Sequence, residues 1–157
     1  MRNTTLTLRL AEPDDVLDIL HWRNDTETRA VSRNVEVIDE QQHRAWFTRV
    51  LGDPDHILLL GSHADKKAGM VRFDRFFPAQ WEVSIVLAPE LRGQRFGEEL
   101  LTMAIQHFVS LHPEASLVAE IKRNNTASCR LFCALGFVRE ADDCELARYT
   151  LAKQEHK

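Results

Sequence analysis

Apolar residues recur along the chain at two different periods. Leu6, Leu8 and Leu10 alternate with Thr7 and Arg9, the pattern of a half-buried strand, and Glu12-Pro13-Asp14 ends it. Proline suits the first turn of a helix, and Val16, Leu17, Ile19 and Leu20 give that helix its apolar stripe as far as about Trp22–Asp25. A second helix is predicted from about Asp39 to Leu51, where His43, Trp46, Phe47, Val50 and Leu51 follow three-and-four spacing and Gly52-Asp53-Pro54 makes a stop. The intervening span, Thr26 to Ile38, is polar and reads as irregular.

Three strands are expected next, at His56–Leu60, Ala68–Phe73 and Trp81–Leu87, the first two joined as a hairpin across Gly61–Lys67. Ala88-Pro89 closes the third, because proline cannot donate to a strand ladder. Leu100, Leu101, Ala104, Ile105, Phe108 and Leu111 share one face of a long helix ended by His112-Pro113. Ser116–Ile121 reads as a strand, Asn125–Leu135 as a helix stopped by Gly136, and Phe137 onward as a final strand pair ending in Glu145–Leu151. The order β-α-α-β-β-β-α-β-α-β-β, with two late β-α-β crossovers, implies an α/β or α+β domain around a central, partly parallel sheet. One domain is expected over residues 1–152, with 153–157 as a frayed tail.

Composition narrows the function classes. A chain of 157 residues that is 44% hydrophobic and 28% charged can bury a core without help from disulfides or metals. Its net charge of −4 gives no general reason to bind nucleic acid or an anionic membrane, so any anion site must be local. Cys129, Cys133 and Cys144 include no CxxC, and neither they nor His21, His56, His63, His107 and His112 show ligand spacing, so reduced thiols and no metal are expected. With no apolar leader and no run approaching the ~20 residues of a membrane span, a soluble cytoplasmic protein is expected.

The chemistry gathers in the strand-to-helix turn Pro89-Glu90-Leu91-Arg92-Gly93-Gln94-Arg95-Phe96-Gly97. A helix N-terminus presents unpaired N–H groups and a partial positive charge, glycine permits close backbone approach, and Arg92 and Arg95 add cations. This is a cradle for a diphosphate, although neither a Walker lysine nor a G-x-G-x-x-G run is present.

The same turn is followed by Asn125-Thr126-Ala127-Ser128-Cys129-Arg130-Leu131-Phe132-Cys133-Ala134-Leu135-Gly136-Phe137. Together they resemble the GNAT superfamily of acyl-CoA N-acyltransferases, whose acetyl-CoA motif is (Q/R)-x-x-G-x-(G/A) and whose later segment is N-x-x-A…L-Y-x-x-x-G-F. The resemblance spans residues 5 to about 151. It implies a mixed, mostly antiparallel sheet of six to seven strands with one splayed pair and about four flanking helices. It further implies acetyl-CoA as donor, with its pantetheine along Ile85, Val86 and Leu87. The pyrophosphate would lie on Arg92, Gly93, Gln94, Arg95, Phe96 and Gly97, with Asn125 and Ser128 across the splay. Arg95 stands where the family has an inner glycine, a substitution expected to fit if Arg95 keeps a negative φ. Phe132 stands where the family commonly has the tyrosine that protonates the leaving thiolate.

Acetyl transfer needs a neutral amine, and two carboxylates compete to be its base. Glu120 matches the base of ribosomal-protein N-terminal acetyltransferases, and Glu82 lies near the glutamate of histone-type members; each is otherwise a strand carboxylate paired with Lys122, Arg72 or water. Tyr149 is a conceivable acid or simply packed on the sheet. The W-R-N at Trp22-Arg23-Asn24, followed by His43 and Trp46-Phe47, resembles bacterial N-acetyltransferases of nucleotide-linked 4-amino sugars, of the pseudaminic-acid-pathway type. There Arg23 would pair with a diphosphate, Asn24 hydrogen-bond a sugar or base edge, and Trp22 or Trp46 stack on a ring, with His43 beside them. These residues also read as the end of one helix and the core face of the next. The expected acceptor is a small-molecule amine, first of all a sugar nucleotide, with a protein N-terminus or a catalytically idle acyl-CoA-binding module as rivals. Homodimers are common among similar proteins.

Overall fold

The computed structural model describes residues 6–140 and 145–151, so Cys144 lies outside the described residues. The first half runs β1 (Thr7–Leu10), α1 (Val16–Asn24), α2 (Thr26–Ala30), α3 (Glu40–Leu51), β2 (His56–His63), β3 (Lys66–Phe77) and β4 (Gln80–Leu87). The second runs α4 (Phe96–Leu111), β5 (Ser116–Lys122), α5 (Thr126–Ala134), β6 (Val138–Arg139) and β7 (Leu146–Leu151), with short 3-10 turns at Pro13–Asp15 and Pro89–Leu91. The seven strands form one sheet in the order β1-β2-β3-β4-β5-β7-β6. All neighbours are antiparallel except β4 and β5, which run parallel. This is the mixed α/β, mostly antiparallel architecture expected from the sequence.

Helices cover both faces because the strands are apolar on both. Leu58 and Leu60 of β2 pack with Ile19 and Trp22 of α1 and Phe47 and Val50 of α3. Leu59, one residue between, turns to the opposite core with Leu100, Leu101 and Phe108 of α4. There Phe108 stacks on Phe73 at 4.4 Å and meets the edge of Trp81 at 5.2 Å, the offset arrangements that aromatic quadrupoles favour.

Three expectations change. The β2–β3 separator is shorter than Gly61–Lys67: Ala64 and Asp65 take φ of 50° and 64°, the left-handed pair a two-residue hairpin turn requires, and His63 pairs with Lys66. The polar span after Asn24 is not irregular throughout. Asp25 Oδ2 accepts from Thr28 N at 3.1 Å and caps α2, which buries none of its residues and so leaves no periodicity to be seen in the sequence. This short helix is the fifth where about four were expected. Finally, β7 inserts between β5 and β6, so only the β4-α4-β5 crossover joins neighbouring strands.

Candidate functional site

The site follows from where two strands stop pairing. β4 and β5 pair only at Gln80–Ser116, Trp81–Leu117 and Glu82–Val118. Beyond that point β4 stays with β3 as far as Leu87–Gly69, and β5 stays with β7 as far as Lys122–Leu146. The facing edges, residues 83–87 and 119–122, therefore separate, and each turns unpaired backbone groups toward the gap. A cleft of about 350 Å³ opens there, with Ile85 and Val86 on one side and Ile121, Asn125 and Ser128 on the other. Gly69 keeps the β4 edge in place: a Cβ on it would come within 2.6 Å of the Val86 carbonyl oxygen.

At the end of β4, Pro89–Leu91 turns the chain into α4, whose first-turn N–H groups have no acceptor within the helix. Gly93 takes φ of 74° and Arg95 φ of 66°. The negative φ expected for Arg95 is thus not kept. The turn requires a left-handed residue immediately before α4 whether or not glycine supplies it, and an arginine there carries roughly 1–2 kcal/mol of local strain. Arg95 itself is exposed. Gly97 serves packing as well as approach, since a Cβ on it would stand 3.3 Å from Leu87 Cδ1 and 3.5 Å from Leu131 Cδ2. The Arg92 side chain points away from α4 to α2, donating to Asp25, to Glu27 at 2.9 Å and to Thr28 Oγ1 at 2.6 Å. That contact holds the Asp25 carboxyl below its ordinary range. Phe96 lies against His63, with ring centroids 4.5 Å apart.

Across the cleft, Asn125 caps α5, its Oδ1 accepting from Ser128 N at 3.2 Å, which places both residues at the mouth of the splay. Phe132 forms part of the floor; it is buried, edge-on to Phe137 at 5.0 Å, and has no proton to donate. Tyr149 is no substitute at that point. It sits buried on β7 opposite Ala119, where a hydrogen bond with Cys129 and then burial push its hydroxyl up to about 12.

Glu82, the last paired residue of β4, and Glu120, just past the pairing on β5, share one cation. Arg33 Nη2 donates to Glu82 Oε1 at 2.8 Å and to Glu120 Oε2 at 3.3 Å. Neither Arg72 nor Lys122 supplies the pairing expected from sequence: Arg72 Nε donates to Asp74 at 2.6 Å, and Lys122 lies 4.0 Å from Glu145. Arg33 went unnoticed in the sequence because it belongs to the polar span after α2 and meets the glutamates only through the fold.

The remaining wall is built around Arg23, which lines the cleft with Arg72. Trp46 stands behind both, its ring 4.8 Å from the Arg23 guanidinium carbon and 5.0 Å from that of Arg72. His43 is buried; its Nε2 lies 2.8 Å from the Val16 carbonyl oxygen and its Nδ1 3.3 Å from Arg23 Nη1. A carbonyl only accepts and a guanidinium only donates, so these partners assign the neutral ring with its proton on Nε2. Burial, partly offset by the Val16 hydrogen bond, lowers the His43 pKa accordingly. Burial and the nearby Arg72 lower Arg23 to about 10, which leaves it charged at neutral pH. Among the described residues no carboxylate lies within ion-pair distance of Arg23.

Of the five acceptor-side candidates only Arg23 lines the cleft; Trp46 and His43 stand behind it, and Trp22 and Asn24 are used elsewhere in the fold. Trp22 is buried in the core under α3. Asn24 is occupied by the chain itself, donating to the Ile38 carbonyl at 2.9 Å and accepting from Ile38 N at 2.7 Å, which pins both ends of the segment carrying Arg33. Among the described residues there is no group of three or more His, Cys, Asp or Glu side chains that could hold a metal ion, and no helix long and apolar enough to cross a membrane.

Curated proteins give no match to this chain. Solved structures share its fold along nearly the whole length. An N-acetyltransferase from Staphylococcus aureus Mu50 is 22% identical with a TM-score of 0.80, over 96% of this chain and 99% of that one. Spermidine N-acetyltransferase from Vibrio cholerae, solved with CoA and spermine, is 18% identical with a TM-score of 0.79, over 92% of both chains. The Salmonella typhimurium protein yncA, described as an acetyltransferase and solved with acetyl-CoA, is 24% identical with a TM-score of 0.79, over 98% of this chain and 96% of that one. The Acetyltransferase (GNAT) domain family matches residues 5–138. With the splayed strands and the left-handed turn before α4 in agreement with this match, the chain belongs to the GNAT acetyltransferase family and is an N-acetyltransferase that uses acetyl-CoA.

Proposed function

We propose that the protein acetylates the primary amine of a nucleotide-activated 4-amino sugar. The observation that carries this reading is Arg23, a cation sunk into the acceptor wall beside Arg72 and braced by Trp46 and His43, with no carboxylate of its own among the described residues. A desolvated guanidinium without a counter-ion calls for an anion from outside, and a diphosphate accepts its forked donors well. A peptide N-terminus brings no anion for Arg23, so the ribosomal-protein-type reading has less support.

In this reading acetyl-CoA supplies an activated acetyl thioester. The open edge at Ile85, Val86 and Leu87 would hydrogen-bond its pantetheine, while the turn from Arg92 through Gly97 would face its pyrophosphate. Asn125 and Ser128 would hold its other side. Glu120 or Glu82 accepts a proton from the amine, the nitrogen attacks the carbonyl carbon, and the carbon–sulfur bond breaks with its electron pair on sulfur. A thiolate of this kind has a pKa near ~8.5, so it leaves without a strong acid, which accommodates Phe132. Thiol release from acetyl-CoA tests the proposal, comparing a UDP-linked 4-amino-4,6-dideoxy sugar, an N-terminal peptide mixture and no acceptor. Sugar-dependent release supports it. Release with peptide alone transfers the assignment to protein substrates, and binding without release in any arm points to an idle module.

A further inference from the structure

Glu82 closes the β4–β5 pairing opposite Val118 and Glu120 lies just beyond it on β5, so on their own they would be two like charges at the head of one gap. Arg33 resolves this, but it reaches in from solvent. Its side chain is 60% exposed, while those of Glu82 and Glu120 are 25% and 31% exposed. The carboxylates are the fixed part of the site, carried by two strands. The arginine belongs to the segment between α2 and α3, which has no regular structure and is tied down on either side of it, by Asn124 at Ala30 and by Asn24 at Ile38. An exposed ion pair of this kind is weakly held and is readily exchanged for another cation.

We propose that the acceptor enters as its ammonium ion and takes the seat between Glu82 and Glu120 that Arg33 fills in its absence. This rests on the reading above that these carboxylates face the acceptor amine. An ammonium carries the same charge as the guanidinium and offers three N–H donors, enough to engage both glutamates at once. One N–H bond then breaks, its proton passing to a carboxylate oxygen and its electron pair remaining on nitrogen for attack on the thioester carbon; the carbon–sulfur bond breaks with its electron pair on sulfur, and the second proton that nitrogen sheds on forming the amide goes to that thiolate. The charge balance that Arg33 provides at rest is thereby kept until the proton has moved. Arg33 is a positioning residue and a competitor for the seat, not a catalytic one.

The other charged groups around the pair are Asp74, paired in register with Glu82 on β3; Arg148, paired with Glu120 on β7; Lys122 on β5; and Arg23 and Arg72 on the cleft wall. All are unchanged in the test, which compares wild type with Arg33→Ala and Arg33→Lys. Carbon-13 NMR of the glutamate carboxyls at fixed neutral pH follows their response to added n-propylammonium chloride. The Glu82 and Glu120 signals should saturate at about three- to fivefold lower propylammonium in Arg33→Ala than in wild type, and Arg33→Lys should stay close to wild type. Equal saturation in Arg33→Ala and wild type, or no response of these two signals in Arg33→Ala, overturns the proposal. In turnover, Arg33→Ala should lower the acceptor KM about three- to fivefold with the acetyl-CoA KM unchanged. A raised acceptor KM would mean that Arg33 binds the acceptor, and would also overturn it. The NMR arm needs neither acetyl-CoA nor a sugar, so failure of the sugar reading and failure of the ammonium seat are separable.

Discussion

The two walls of the cleft are made of different material. The wall proposed for acetyl-CoA is main chain: an unpaired strand edge at residues 83–87, continued by a turn with left-handed residues at 93 and 95 and the first turn of α4. The wall proposed for the acceptor is side chains from separate elements, Arg23 from α1, Arg33 from the segment after α2, Arg72 from β3, Glu82 from β4 and Glu120 from β5. A main-chain wall depends on the course of the backbone and persists through extensive substitution, as folds alike at 17–24% identity illustrate. A side-chain wall changes with single residues. On the proposed assignment, donor binding rests on the part of the molecule that is hard to alter, and the acceptor contacts on the part that is easy to alter.

The largest expected effect is on the carboxylates at the seam between the walls. Glu120→Gln and Glu82→Gln should differ: the base should lose about 10²–10⁴ in kcat, and the other glutamate much less, with the acetyl-CoA KM nearly constant in both. Turnover against pH for the two variants decides which is which. Wild-type rates in both would give the proton to a water chain instead.

On the acceptor wall alone, Arg23→Ala should raise the acceptor KM roughly ten- to a hundredfold, the usual worth of a charge-assisted contact of about 1.5–3 kcal/mol. The acetyl-CoA KM should stay within about twofold. Arg23→Lys should restore only part, because an ammonium cannot reproduce the fork or the contact with Trp46. If acetyl-CoA binding suffers equally, the two walls are not separate and the comparison fails.

The same contrast explains what the sequence disclosed. Pro89 to Gly97 is contiguous, and so is Asn125 to Phe137, so turn chemistry, capping and glycine placement are all visible in one stretch of chain. Sequence order and hydrophobic period placed every strand that carries this wall, with errors of a few residues at the ends. The acceptor wall is assembled from residues far apart in the chain, with 87 positions between the hydrogen-bonded Arg33 and Glu120, and no local pattern reports such a meeting. Helix α2 escaped for a related reason: Asp25 and Arg92 hold it in place of an apolar face. Trp22 shows the converse, a residue whose motif suggested a ring platform and whose helical position put it in the core.

A smaller effect probes the phosphate turn. Arg95→Gly should relieve the left-handed strain at φ of 66° and raise the melting temperature by about 2–4 °C, roughly 1 kcal/mol. The same change removes a cation beside the proposed pyrophosphate seat, so the acetyl-CoA KM should rise a few-fold while the acceptor KM holds. Stability and affinity should move in opposite directions, measured by thermal unfolding with and without acetyl-CoA. A fall in both would mean that Arg95 stabilises the turn, contrary to its backbone geometry.

The subtlest test is the pH dependence that His43 imposes on the acceptor wall. Burial holds its folded pKa below the ordinary value of about 6.5, so between the two values the unfolded chain binds more protons than the folded one. Its contribution to stability is therefore fully present above pH ~6.5 and is lost as pH falls from there through the folded pKa. His43→Gln, which keeps a donor for Val16 and an acceptor for Arg23, should flatten the slope of melting temperature against pH in that window. Function should follow the same curve on one wall only. A proton on Nδ1 removes the acceptor for Arg23 Nη1 and sets a second cation 3.3 Å from it, so the acceptor KM should rise as pH falls while the acetyl-CoA KM stays level. If both constants drift together in wild type and in His43→Gln alike, the titration belongs to another group and the independence of the two walls loses its support.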